Sequence, residues 1–150
     1  MDIEYKAREK DNTMDTFVYS RYMIENIEPH YSYKHIIISI TSAPDDGAKL
    51  PECSDTVGVL RLFFGDVDSG DTAMTDKQAE RIASFITETQ KATPFARVLV
   101  HCDAGYSRSP AIAAAISKHF NGDDAQYFGG RYKPNMFVYR KVLNALENSK

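Results

Sequence analysis

Apolar and polar positions along this chain fall into short blocks whose periodicity changes from one block to the next. His35-Ile36-Ile37-Ile38-Ser39-Ile40 is a β-branched run of strand length, and Val57 to Phe64 (VGVLRLFF) is a second. Ala96 to Val100 (ARVLV) is almost wholly apolar, as in strands buried on both faces of a parallel sheet. Between the last two runs the spacing turns helical. Ala79, Ile82, Ala83, Phe85 and Ile86 share one face of a predicted helix that ends near Lys91. Thr75 is its expected N-cap, and Gln78 completes a capping box. A further helix begins at Ser109 with Pro110 in its first turn, runs through AIAAAISKHF and stops at Asn121-Gly122. The last is amphipathic, from about Pro134 to Leu146, with Phe137, Val138, Val142, Leu143 and Leu146 facing inward. Phe17 to Ile27 admits a strand that turns into a short helix, and the polar residues 1–15 are expected to form a loose arm.

Strands alternating with helices imply an α/β fold: a central, mostly parallel sheet with helices on both faces. The 150 residues suit one domain, residues 1–150, and 43% apolar content is enough for a core. A net charge of −3 gives no general attraction to nucleic acid, so a nucleic-acid partner is not expected. No run reaches the roughly 18 apolar residues of a membrane helix, and the charged start MDIEYKAREKDN has no apolar signal core. Two cysteines are too few for a disulfide-stapled secreted fold. The expected setting is therefore cytoplasmic, without a membrane partner. His30, His35, His101 and His119 form no zinc pattern with the cysteines, so neither a metal nor another cofactor is expected.

The segment His101 to Ser109, HCDAGYSRS, joins the ARVLV strand to the alanine-rich helix. A helix start offers unpaired N–H groups and the positive end of a dipole, and a loop curled over it at Gly105 can aim more N–H groups at one point. Such a nest binds anions. Arg108 adds a planar fork that matches two oxygens of a phosphate, and the same positive field favours the nucleophilic thiolate of Cys102. Five intervening residues let one loop close around one dianion. A lone Cys at a strand end would ordinarily be a packing residue. The conjunction with His101, Gly105, Arg108, Ser109 and the proline-started helix argues for chemistry.

With these residues the chain resembles the protein tyrosine phosphatase superfamily, whose signature is His-Cys-x5-Arg-Ser/Thr. Ser107-Arg108-Ser109 makes it most similar to the compact dual-specificity branch. Pro134-Asn135 followed by Phe137 resembles an element that opens the last helix there, although Met136 stands where relatives have glycine. The resemblance implies Cys102 as nucleophile and phosphocysteine carrier, Arg108 as the grip on substrate and transition state, and Ser109 as hydrogen-bond donor to the departing sulfur. It implies that backbone N–H groups of Asp103, Ala104, Gly105, Tyr106, Ser107 and Arg108 cradle the phosphate, their side chains mattering less. His101 would order the loop, and Asn135 would brace it.

Expelling the leaving group calls for a carboxylic acid on a neighbouring loop. The loop after VGVLRLFF offers Asp66, Asp68 and Asp71. Asp66 fits the resemblance best, Asp68 is the reserve acid, and Asp71 reads as a solvated turn residue. The expected activity is hydrolysis of phosphate monoesters on protein tyrosine, extending to serine or threonine, so the expected partner is a phosphorylated protein. The alternatives are phosphoinositide or RNA 5′-triphosphate hydrolysis on the same scaffold, or a catalytically idle phosphate-binding adapter. Cys53 reads as a bystander. The cluster Tyr127, Arg131, Tyr132, Lys133 is either a substrate rim or a solvated loop.

Overall fold

A computed structural model describes residues 13–27 and 33–149. Its strands are β1 (Asp15–Ser20), β2 (His35–Thr41), β3 (Thr56–Phe63) and β4 (Arg97–Cys102). Its helices are α1 (Arg21–Glu25), α2 (Asp76–Ala92), α3 (Arg108–Asn121) and α4 (Met136–Glu147), with a single 3₁₀ turn at Ala125–Tyr127. The strands form one sheet in the order β1-β4-β2-β3, and every pairing is parallel. The sheet thus matches the expected architecture.

The alternation along each strand sorts the core into two unequal parts. Ile36, Ile38, Ile40, Leu60, Leu62, Val98 and Val100 face Ile82 and Ile86 of α2, Ile112 and Ile116 of α3, and Val138, Val142 and Leu146 of α4. Ile37 and Leu99 point to the other face, where among the described residues Ile24 of α1 joins them as a buried apolar residue, with Tyr19, Ile27 and Leu50 at the margin. Both faces therefore carry helix, one with three helices and the other with a single helix of five residues. Each fully buried Ile or Leu adds roughly 1.5–3 kcal/mol, so the three-helix face supplies most of the hydrophobic stabilisation. Ala111, Ala113, Ala114 and Ala115 are all fully buried, which lets α3 lie close between the sheet and α4.

The helix ends follow the sequence closely. Thr75 and Gln78 form the reciprocal capping box at α2, and Gly122 takes the left-handed conformation past the end of α3. Gln78 also donates its side-chain N–H to the Phe63 carbonyl at 2.9 Å, tying the start of α2 to the end of β3. One expectation needs correction: the arm does not extend to residue 15. Residues 1–12 lie outside the described residues, but Met14 is buried and bonds Asn121 through both its N–H and its carbonyl. Asp15 already opens β1.

A parallel sheet sends all its carboxyl ends to one edge. Ser20, Thr41, Phe63 and Cys102 are the last residues of the four strands, so the segments after them converge there. Among the described residues no helix is long and apolar enough to cross a membrane.

Candidate active site

Cys102 ends β4, a strand with neighbours on both sides, and Ser20 is its register partner in β1. The chain then turns sharply. Gly105 has φ +68°, and a Cβ there would stand 2.7 Å from the Ser20 nitrogen and 2.9 Å from the Tyr19 carbonyl oxygen. Only glycine gives both the left-handed conformation and the close approach. The Arg21 N–H donates to the Asp103 carbonyl at 3.0 Å, so the loop lies against the β1–α1 junction. Its far side is held from the last loop, where the Lys133 and Asn135 N–H groups donate to the Tyr106 and Ser107 carbonyls.

Carbonyls are thus occupied, whereas no acceptor is recorded for the N–H groups of residues 104–107 among the described residues. The start of α3 adds to this. Ser107 occupies the N-cap position without a side-chain cap bond, while α1, α2 and α4 are each capped by a side chain. The open N–H of Arg108 at the first helical position and the helix dipole favour an anion here.

The Cys102 sulfur shares a 3.0 Å hydrogen bond with the Ser109 hydroxyl and receives the Ser109 N–H at 3.4 Å. His101 is fully buried behind the loop. Its Nδ1 lies 3.3 Å from the Cys102 carbonyl oxygen, which can only accept, so Nδ1 carries the proton. Nε2 then accepts from the Ser39 hydroxyl at 2.6 Å. Burial pushes the His101 pKa below its usual value, despite the opposing bond to the Cys102 carbonyl, and keeps the ring neutral.

Arg108 is buried and firmly placed. Nη1 donates to the Phe64 carbonyl at 2.8 Å and to the Ser42 hydroxyl at 3.1 Å; Nη2 donates to an Asp103 carboxylate oxygen at 3.3 Å. Nε has no acceptor among the described residues and Nη2 has one, and the Nε/Nη2 edge has the planar spacing that matches two oxygens of an oxyanion.

Asp66 meets the same loop from β3. One carboxylate oxygen accepts from the Ser107 hydroxyl at 2.8 Å and from the Asn135 side-chain amide at 2.9 Å. Asn135 is the N-cap of α4, accepting from the Phe137 and Val138 N–H groups. Its amide also donates to the Val67 carbonyl at 3.2 Å. Met136 in place of glycine does not disturb this knot. Asp68 is exposed and makes no hydrogen bond or ion pair among the described residues.

Other expected features fall elsewhere. The Tyr127 hydroxyl is buried against Thr16 at 2.6 Å and faces away from any rim. Arg131 stacks over Tyr132, and only Lys133 of that cluster reaches the loop, through its backbone. Cys53 stands near the amino ends of the strands and Cys102 at a carboxyl end, so the two thiols are not partners. His35 is a buried residue bonded to Thr56, and His30 lies outside the described residues. Among the described residues no group of three or more His, Cys, Asp and Glu could hold a metal ion. Two of the loop side chains expected to matter less than their backbone, those of Asp103 and Ser107, each carry a specific contact. Sequence reasoning missed Arg21, Ser39 and Ser42, although Arg21 and Ser42 lie just past the ends of parallel strands and Ser39 is the one polar residue within the isoleucine run.

No family model and no curated protein matches this sequence. Solved structures match it in shape. Human DUSP28 has a TM-score of 0.58 at 16% identity, over 88% of this chain and 91% of that chain. PTPMT1, solved in complex with PI(5)P, has 0.55 at 15%, over 90% and 92%. A human tyrosine phosphatase-like serine/threonine/tyrosine-interacting protein has 0.51 at 21%, over 74% and 75%. At such identities the likeness is one of fold.

Proposed function

Because the chain has the fold of the dual-specificity phosphatases, we propose that it is a cysteine-dependent phosphatase that hydrolyses phosphate monoesters, with phosphotyrosine in protein as the leading substrate and phosphoserine or phosphothreonine as a lesser one. The observation that carries this reading is the convergence of Cys102, the Nε/Nη2 edge of Arg108 and the Asp66 carboxyl on one loop of open N–H donors.

The reaction follows from the groups in place. The Cys102 thiolate attacks phosphorus, forming a P–S bond as the ester P–O bond breaks. Asp66 gives its proton to the departing oxygen. Arg108 and the N–H groups of the loop neutralise charge on the equatorial oxygens. Asp66 then takes a proton from water as that water attacks phosphorus. The P–S bond breaks, and the Ser109 hydroxyl stabilises the returning thiolate. Asn135 holds Asp66 in reach, which supports Asp66 over Asp68 as the acid.

Three exposed apolar residues support a protein tyrosine substrate. Val67, Tyr106 and Met136 are 39%, 44% and 38% exposed and stand on the three segments knotted around Asp66. An aryl ring leaving the nest would find apolar surface there. Residues 101–109 carry the acidic Asp103 and no lysine to meet the further phosphates of a phosphoinositide headgroup or an RNA triphosphate. Hydrolysis of p-nitrophenyl phosphate in EDTA tests the proposal. Cys102→Ser should abolish it and vanadate should block it; a rate that survives Cys102→Ser would overturn the assignment.

A further inference from the structure

The Asp103 carboxylate lies between two guanidinium groups. One oxygen is 3.3 Å from Arg108 Nη2, and the other is 3.9 Å from Arg21 Nη1. The surroundings differ. The Arg108 side chain is 7% exposed, whereas Asp103 is 45% exposed and free to shift. Arg21 is held in place from several directions: by Glu25 at 3.1 Å, Asp46 at 3.1 Å and the Gly47 carbonyl at 2.9 Å. Its backbone N–H also bonds the Asp103 carbonyl, so the two residues cannot drift apart.

An arriving phosphate dianion needs Arg108 and is repelled by a carboxylate already paired with it. We infer that Asp103 is a positioning residue that pairs with Arg108 in the free protein and passes to Arg21 when an oxyanion enters the loop. In the free state Asp103 holds the guanidinium in the plane set by Phe64 and Ser42. In the bound state Arg21, at present beyond hydrogen-bond distance, draws the carboxylate away and offsets its charge. Arg21 is thus the acceptor site for a carboxylate that would otherwise compete with substrate. The inference rests on reading the loop as an oxyanion site, and its test does not need turnover.

The experiment measures the dissociation constant of inorganic phosphate by calorimetry for wild type, Asp103→Asn, Arg21→Gln and the double variant, with thermal unfolding of each as a folding control. Asp103→Asn removes the competitor and should tighten phosphate binding about fivefold, in keeping with a like charge a few ångströms away. Arg21→Gln leaves Asp103 on Arg108 and should weaken binding about threefold, while Arg21→Lys, which keeps the charge but loses the fork held by Glu25, Asp46 and Gly47, should fall between wild type and Arg21→Gln. In the double variant the Arg21 effect should shrink to less than about twofold, because no carboxylate is left to receive. Additive losses would mean that both residues are merely structural and would overturn the inference, as would weaker binding by Asp103→Asn. A wild type that binds no phosphate would overturn it too. Normal p-nitrophenyl phosphate hydrolysis beside additive losses would remove the inference and leave the phosphatase assignment standing. Coupled phosphate binding without hydrolysis would do the reverse.

Discussion

Gly105→Ala should cost this protein far more than a methyl group ordinarily would. The residue sits at φ +68°, where an L side chain is strained by roughly 1–2 kcal/mol. Strain alone would be tolerable, but the new Cβ would also lie 2.7 Å from the Ser20 nitrogen, 2.8 Å from the Tyr19 carbonyl carbon and 2.9 Å from its oxygen. All three are backbone atoms of the β1–α1 junction. They cannot rotate away as a side chain would, so the loop itself must retreat, by roughly half an ångström to restore van der Waals contact. That retreat moves the open N–H groups relative to the Cys102 sulfur, which is fixed at the end of a paired strand. It also pulls against the Arg21 to Asp103 bond.

A misplacement of about 1 Å among reacting groups can cost about a hundredfold in rate. The expected result is therefore a fall in kcat/KM for p-nitrophenyl phosphate of about ten- to a hundredfold, with a stability loss of about 1–3 kcal/mol by urea unfolding. Gly129→Ala is the matched control. A Cβ at Gly129 meets nothing within 4 Å, and its φ is not in the left-handed region, so activity and stability should stay at wild-type level. Wild-type activity in Gly105→Ala, or equal losses at both positions, would refute the argument that the junction sets the shape of the loop.

Asp66→Asn should lower kcat at least about a hundredfold for phenyl phosphate and much less for p-nitrophenyl phosphate, since the better leaving group needs less protonation. Equal losses on the two substrates would remove Asp66 as the acid, and a normal rate beside a crippled Asp68→Asn would move the role to Asp68. Asn135→Ala should lose about 1–2 kcal/mol in urea unfolding together with activity, because it removes both the α4 cap and the amide that holds Asp66. Asn135→Asp keeps the cap but turns a carboxylate oxygen toward Asp66 and the Val67 carbonyl in place of the amide donor, so kcat and stability should both fall at neutral pH; retention of both would separate Asn135 from the acid. His101 is neutral in the fold because burial lowers its pKa from the usual 6.5, so below that pH the unfolded chain binds more protons than the native one. The contribution of His101 to stability is thus complete above pH 6.5 and declines as the pH falls toward its lowered folded value. The urea midpoint of His101→Asn should fall less steeply between neutral and acidic pH than that of wild type, and parallel curves would contradict this.

The elements that were legible are those whose cause is local. The isoleucine run at 36–38, the Thr75/Gln78 box, Pro110 and Asn121-Gly122 each specify their structure within a few residues, and each appears as expected. Cys102, Arg108 and Ser109 were legible for the same reason: one continuous loop delivers all three. Asp66 was narrower, because three aspartates share its loop and only the contacts to Ser107 and Asn135 separate it from Asp68. The arm was misjudged because polarity marks exposure only on average. Met14 is one of the few apolar residues within that arm, and Asn121 secures it from the far end of α3.

What stayed hidden depends on the order of strands in the sheet, which no local pattern encodes. β4 lies between β1 and β2, so the segment after β1 ends up beside the segment after β4. Had β4 been added at the free edge of β3, Arg21 and Ser39 would be strands away from Asp103 and His101. As built, Ser39 is the register partner of His101, and Ser20 is the register partner of Cys102. Strand order thus supplies the Ser39 hydroxyl from which His101 Nε2 accepts, and it gives Gly105 the backbone it must clear. The loop sequence contains Cys102, Arg108 and Ser109, but their orientation comes from neighbours that only the fold brings to them. A transplanted HCDAGYSRS loop should therefore bind and react poorly on a parallel sheet of different strand order, even with Cys102 and Arg108 intact.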